Sequence, residues 1–187
     1  MTFPPQRKGP SGPRNDLDGS IAAATFLAEN NPQGADIPVD LAWYDPVVAA
    51  SMVPQLTVQG SDMTSSPSGG VIVQVPMIVL VRATLSYLLA SSSATAPNAF
   101  VVDLAIALDA ADPSAQQIAG RGVRYHQNEE IGGEVAPVGD EVVAVWQGSV
   151  SAGQRISARV RGDQGSVPNP GINPLNYTLQ VVQLALT

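Results

Sequence analysis

From Val71 to Leu89 every odd-numbered position is apolar or aromatic: Val71, Val73, Val75, Met77, Val79, Val81, Ala83, Leu85, Tyr87 and Leu89. The positions between them include Gln74, Pro76, Arg82, Thr84 and Ser86, but Ile72, Ile78, Leu80 and Leu88 break the pattern, which predicts partial burial of the second face too. A period of two marks strands that bury one face. At about 3.3 Å per residue the run would extend about 60 Å, well past the usual strand. Pro76 cannot donate to a central ladder, so it splits the run into two strands.

The same alternation recurs downstream. Phe100, Val102, Leu104, Ile106 and Leu108 form one row. Gln116–His126 is a further strand, in which Gly120 and Gly122 imply a bulge or bend. Glu141–Val150 follows, then Ile156, Ala158 and Val160 opposite Arg155, Ser157, Arg159 and Arg161. Gly162–Pro174 reads as a Gly/Pro/Asn loop. Tyr177, Leu179 and Val181 define one face of the last strand, whose phase slips where Val182, Leu184 and Leu186 are apolar as well. Burial on both faces or a bulge accounts for the slip, and either suits an intersubunit position. With 17 Gly and 16 Pro in 187 residues, a helical bundle is excluded. About eight strands separated by turn chemistry predict an all-β, antiparallel jelly-roll sandwich over residues 61–187.

Ser20–Asn30 is the one short helix expected, capped by Ser20 or Asp18 and stopped at Asn30-Asn31-Pro32. Residues 20–60 join it to an extended connecting segment with a strand at Gln55–Gln59. Asp62–Gly70 reads as a loop. Residues 1–19 contain Pro4, Pro5, Pro10, Pro13, Gly9, Gly12 and Gly19, and neither a helix nor a ladder survives that spacing. They form an extended arm that orders only against another surface.

Chemistry is sparse. There is no cysteine, and the single histidine, His126, lacks the companions of a metal site or a triad. The single lysine, Lys8, lies in the arm, and no phosphate-cradling glycine motif is present. No catalytic, cofactor-binding or metal-ligating residue is therefore assigned. Asp103, Asp109 and Asp112, and Glu129, Glu130 and Glu134, are read as solvated acidic loops, since no calcium-loop spacing accompanies them. Arg161-Gly162-Asp163 is a three-residue integrin-type match that ordinary turn chemistry explains. Arg155, Arg159 and Arg161 share a strand face, where arginines pair with acids across a strand or a subunit boundary.

Nine Lys and Arg against 16 Asp and Glu give a net charge of −7, and only 13% of residues are charged. Arg7, Lys8 and Arg14 all precede the first acid, Asp16. Such a body repels nucleic acid, and three cations neutralise few phosphates. No apolar stretch of signal-peptide or membrane-spanning type occurs, which predicts a protein made in the cytoplasm with neither membrane nor nucleic acid as partner.

Trp146-Gln147-Gly148, then Ser151-Ala152-Gly153-Gln154-Arg155-Ile156, then Arg159-Val160-Arg161-Gly162, and finally Asn176 to Leu184 resemble the C-terminal half of jelly rolls of the tumour-necrosis-factor type. They also resemble the trimeric knobs and decoration proteins of tailed bacteriophages. The resemblance covers residues 95–187. It implies a homotrimeric virion structural protein, without enzymatic activity or cofactor: a capsid decoration (cement) or head-fibre protein. Its partners are then its own copies and the major capsid protein or another virion protein. The arm residues Phe3, Pro4, Pro5, Arg7, Lys8 and Arg14 are expected to bind the shell. Tyr177, Leu179, Val181 and Arg159 are expected at the subunit interface. The alternatives are a receptor- or glycan-binding fibre tip, using Trp43, Tyr44 and Tyr125, or a single-jelly-roll capsid subunit.

Overall fold

The computed structural model describes residues 22–29, 36–38, 40–66, 69–90, 99–109, 116–127, 138–164 and 171–186. The arm therefore lies outside the described residues, as do Asp112, Glu129, Glu130 and Glu134. The strands are β1 (Ala23–Glu29), β2 (Ile37–Pro38), β3 (Val53–Gln59), β4 (Met63–Ser65), β5 (Val71–Val73), β6 (Met77–Ala90), β7 (Ala99–Asp109), β8 (Gln116–Gln127), β9 (Val138–Val150), β10 (Arg155–Gln164) and β11 (Gly171–Leu186). One short helix, α1 (Pro46–Ala49), lies between β2 and β3.

Two antiparallel sheets face each other. The first runs β3-β1-β11-β6-β9, with β2 also on β11; the second runs β4-β5-β10-β7-β8. One face of each sheet supplies the core. Ala24, Phe26 and Ala28 of β1, the odd positions Met77 to Tyr87 of β6, and Tyr177, Leu179 and Val181 of β11 come from the first sheet. Val102, Leu104, Ile106, Ile156, Ala158 and Val160 answer them from the second. The break expected at Pro76 is there, between β5 and β6.

Three expectations need correction. Ser20–Asn30 does not give a helix: residues 23–29 are β1, paired along their length with β3 on one side and β11 on the other. Alanine favours helices, but Ala22, Ala24, Phe26 and Ala28 also alternate, and two flanking strands satisfy every backbone group, so tertiary pairing overrides propensity. Residues 22–60 thereby contribute four elements to the body expected to begin at residue 61. The loop expected over Gly162–Pro174 is shorter, because β10 continues to Gln164 and β11 starts at Gly171. Pro174 fits inside β11 because the register shifts immediately after it, between Pro174 and Asn176. A second shift between Gln183 and Ala185 is the bulge anticipated from the phase slip.

The bulge expected near Gly120 is also present, as a register shift opposite Ile106 and Ala107. Gly122 has a different reason. A Cβ there would lie 1.8 Å from the Val143 carbonyl oxygen of β9, so the two sheets touch backbone to backbone along that side.

Candidate functional site

The even positions of β10 face the core, which sends Arg155, Ser157, Arg159 and Arg161 to the outer face of the second sheet. Asp109 and Asp103 stand opposite Arg155 and Arg161 on β7. Arg155 donates to Asp109 Oδ2 through Nε at 3.1 Å and Nη2 at 2.5 Å. Ser157 Oγ and Arg159 Nη2 donate to the same oxygen, each at 3.1 Å. Asp103 Oδ2 accepts from Arg161 Nε at 2.7 Å and from Arg121 Nη2, on β8, at 2.5 Å. Donors thus converge on Oδ2 of both aspartates, and Oδ1 of each has no partner among the described residues.

This row is buried because another part of the chain covers it. After β2 the backbone leaves the first sheet and lies along the edge of β10 that the three-residue β5 leaves open. Tyr44 and Val160 exchange both backbone hydrogen bonds at 2.8 Å, and Leu41 N–H donates to Gly162 O at 3.2 Å. Asp45 then works in two directions. Its Oδ1 accepts from Val47 N–H and caps α1, while its Oδ2 accepts from Arg159 Nη1 at 2.5 Å. The Trp43 ring lies 4.6 Å from the Arg161 guanidinium and 5.8 Å from that of Arg121, so both cations holding Asp103 also face its π surface. Tyr44 donates to Asp40 at 2.6 Å, which lowers the Asp40 carboxyl pKa and raises that of the phenol.

The outer face of the first sheet is chemically different. Strand register arranges it in rows from β3 to β9. Val53, Glu29, Asn176, Ser86 and Glu141 form one end row. Gln55, Leu27, Thr178, Thr84 and Val143 come next, followed by Thr57, Thr25, Gln180, Arg82 and Val145, then Gln59, Ala23, Val182, Leu80 and Gln147. Beyond them lie Ile78, Ala185 and Ser149, with Leu184 the extra residue of the bulge between Gln183 and Ala185. Among the described residues of these rows, Glu29, Arg82 and Glu141 are charged. Leu80 and Val145 on this face are 39% and 57% exposed, and Leu184 at the bulge is 49% exposed. Five strands give a patch about 20 Å wide and about 30 Å long, the same order as the roughly 800 Å² each partner contributes to a standard interface.

Tyr177, Leu179 and Val181, expected at an interface, instead lie inside the sandwich at 2%, 0% and 0% exposure. Alternation decides this: β11 offers a partner the other row, Thr178, Gln180 and Val182. Arg159 is likewise consumed within the chain, by Asp45 and Asp109. The expectation that these arginines pair with acids across a strand does hold. Trp43 and Tyr44 are engaged over β10, whereas Tyr125 is 75% exposed. In the Arg-Gly-Asp tripeptide, Arg161 is bonded to Asp103 and Gly162 is buried within β10. Asp103 and Asp109 are ion-paired rather than solvated, and no trio of His, Asp or Glu among the described residues is arranged for a metal. No helix among them is long and apolar enough to cross a membrane. Asp45 and Trp43 carry no local sign of this network, since Arg159 and Arg161 lie more than a hundred residues away in sequence.

No family model matches the sequence, and no curated protein does. Solved structures do match. Eiger TNF from S. frugiperda is 16% identical with a TM-score of 0.54, over 90% of this chain and 95% of its own. Murine APRIL at pH 8.0 and at pH 8.5 is 13% and 10% identical, with TM-scores of 0.48 and 0.49, over 87% of this chain and 99% of its own in each case. The likeness to Eiger TNF, which extends well beyond residues 95–187, shows the fold: a TNF-like jelly-roll sandwich.

Proposed function

We propose that this chain is an adhesive structural protein, a homotrimer that decorates or stabilises a virion. The observation that carries self-association is the outer face of the first sheet, five strands wide with three charged positions among the described residues of its rows, in a chain of net charge −7. A surface this poor in charge and carrying Leu80, Val145 and Val182 gains most by meeting another protein surface. The polar groups that the fold does bring together are arginine–aspartate pairs, which tie neighbouring strands to one another and, through Asp45–Arg159, hold residues 41–50 to β10. That is the chemistry of a scaffold. Attachment to a shell is supported by the sequence: the basic, Pro/Gly-rich residues 1–19, and the resemblance of residues 146–184 to phage decoration modules. Three copies would present three arms, so weak single contacts would add through avidity.

Two variants test the halves separately. Leu80→Glu should yield folded single chains in solution, with unchanged far-ultraviolet circular dichroism. A chain lacking residues 1–19 should remain associated but fail to cosediment with capsid shells assembled from a co-expressed major capsid protein. Cosedimentation at full occupancy without the arm would overturn the tether, and an unchanged assembly in Leu80→Glu would overturn the face.

A further inference from the structure

We infer that residues 42–50 form a hinged clasp that opens as a unit over the outer face of β10 while the sandwich stays folded. The segment leaves the first sheet after β2, lies on the second, and returns to the first at β3. Two backbone outliers bound it. Leu41 has φ 68° and Ser51 φ 52°, and these are the only non-glycine residues with positive φ among the described residues. That region is disfavoured for L-residues and most of all for bulky ones. Neither side chain demands it, since Leu41 is 55% exposed and Ser51 is exposed too. Ser51 takes the left-handed conformation where α1 ends, with Met52 N–H on Val47 O, whereas at Leu41 the strain follows from the path of the clasp and opening relieves it.

The polar grip comprises the Tyr44–Val160 backbone pair, the Leu41–Gly162 hydrogen bond, the Asp45–Arg159 ion pair and Trp43 over the Arg161 guanidinium. Its apolar part is Val47 and Ala50, buried against the core, with Tyr44 and Ala49 packed beside them. The layer underneath is built to survive its loss. Without Asp45, Arg159 still holds Asp109. Without Trp43, Arg161 and Arg121 still hold Asp103. Opening therefore strands no buried charge, which is the usual obstacle to uncovering an ionic layer. The open state presents the edge of β10 from Val160 to Gly162 and the guanidinium row beside it.

Native-state hydrogen exchange on the full chain reads this directly. The Tyr44 and Val160 amides are each other's partners, so one opening event exposes both. Ala49 and Ala50, whose amides bond within α1, should share that rate. All four are expected to exchange at least tenfold faster than Ala83 and Leu179, which pair at the centre of the first sheet. Asp45→Asn keeps an Oδ1 acceptor for the α1 cap but removes the charge facing Arg159. It should speed Tyr44 and Val160 a further tenfold and leave Ala83 and Leu179 within twofold. Leu41→Asn, which tolerates the left-handed region, should slow the same amides, so the inference is tested even if Asp45→Asn folds poorly. Equal rates for clasp and core amides in the unmodified chain, or a uniform acceleration of both groups in Asp45→Asn, would overturn it.

Discussion

Substituting Gly122 by alanine isolates the contact that sets the distance between the sheets at their β8–β9 side. The new Cβ would sit 1.8 Å from Val143 O, 2.5 Å from Val143 C and 3.1 Å from Ala144 N. Real Cβ contacts essentially never fall below 3.0 Å, so β8 or β9 must retreat. The obstacle is backbone, held in register against β6 from Val138 to Val150, and it cannot swing aside as a side-chain tip can. Overpacking of this kind costs about 1–3 kcal/mol, and a rigid obstacle places Gly122→Ala at about 3 kcal/mol or above. For a domain of this size each kcal/mol lowers Tm by roughly 2–4 °C, giving a fall of roughly 10 °C. Gly153→Ala is the control. It meets nothing within 4 Å but has φ +81°, so its cost is conformational alone, about 1 kcal/mol. Urea unfolding followed by tryptophan fluorescence would measure both. A Gly122→Ala midpoint equal to that of the unmodified chain, or a smaller loss than for Gly153→Ala, would refute the close-approach reasoning.

Asp109→Ala removes the buried oxygen shared by Arg155, Ser157 and Arg159, and should cost about 3–5 kcal/mol in chemical denaturation. Tyr177→Phe should be neutral or slightly stabilising by the same assay. The Tyr177 hydroxyl reaches the Ala158 backbone without a hydrogen bond of normal geometry, so its removal forfeits little. Ser51→Gly should stabilise by about 0.5 kcal/mol, because Ser51 follows α1 in a left-handed conformation while Met52 N–H closes onto Val47 O. Burial raises the phenol pKa values of Tyr87 and Tyr177 above the usual 10.0, with Asp140 adding to the effect at Tyr87 and Asp45 at Tyr177. Their contribution is then complete below about pH 10 and is lost as the pH rises further, since only the unfolded chain releases those protons. Absorbance at 295 nm should show these two phenols ionising together with loss of near-ultraviolet circular dichroism, and ionisation in the intact fold would contradict that.

Legibility of the fold tracked alternation. Met77 to Tyr87, Val102 to Leu108 and Ile156 to Val160 were readable because one row of each is apolar throughout, while the other is small, polar or charged apart from Ile78 and Leu80. Residues 23–29 were not. Their inward row is mostly alanine, which suits a helix equally well, and the decision belongs to β3 and β11, one of them some 150 residues away. The start of β11 was hidden by Pro174, whose tolerance depends on a register shift that sequence does not display. For the candidate site, Arg155, Arg159 and Arg161 announced that they needed acids, and β7 supplies Asp103 and Asp109. Nothing near Asp45 or Trp43 announced that they cover those arginines, because the covering path depends on β5 ending early. The interface row of β11 was misassigned through parity: Tyr177, Leu179 and Val181 are the larger residues and are claimed by the chain's own core, which leaves Thr178, Gln180 and Val182 outside.

Self-association through the outer face of the first sheet underlies the proposed role, and the mass of the purified protein in solution tests it most directly. One chain weighs 19.3 kDa. Light scattering coupled to size exclusion, at physiological salt, should return three times that mass across a tenfold dilution; a concentration-independent species at the mass of one chain would contradict the account.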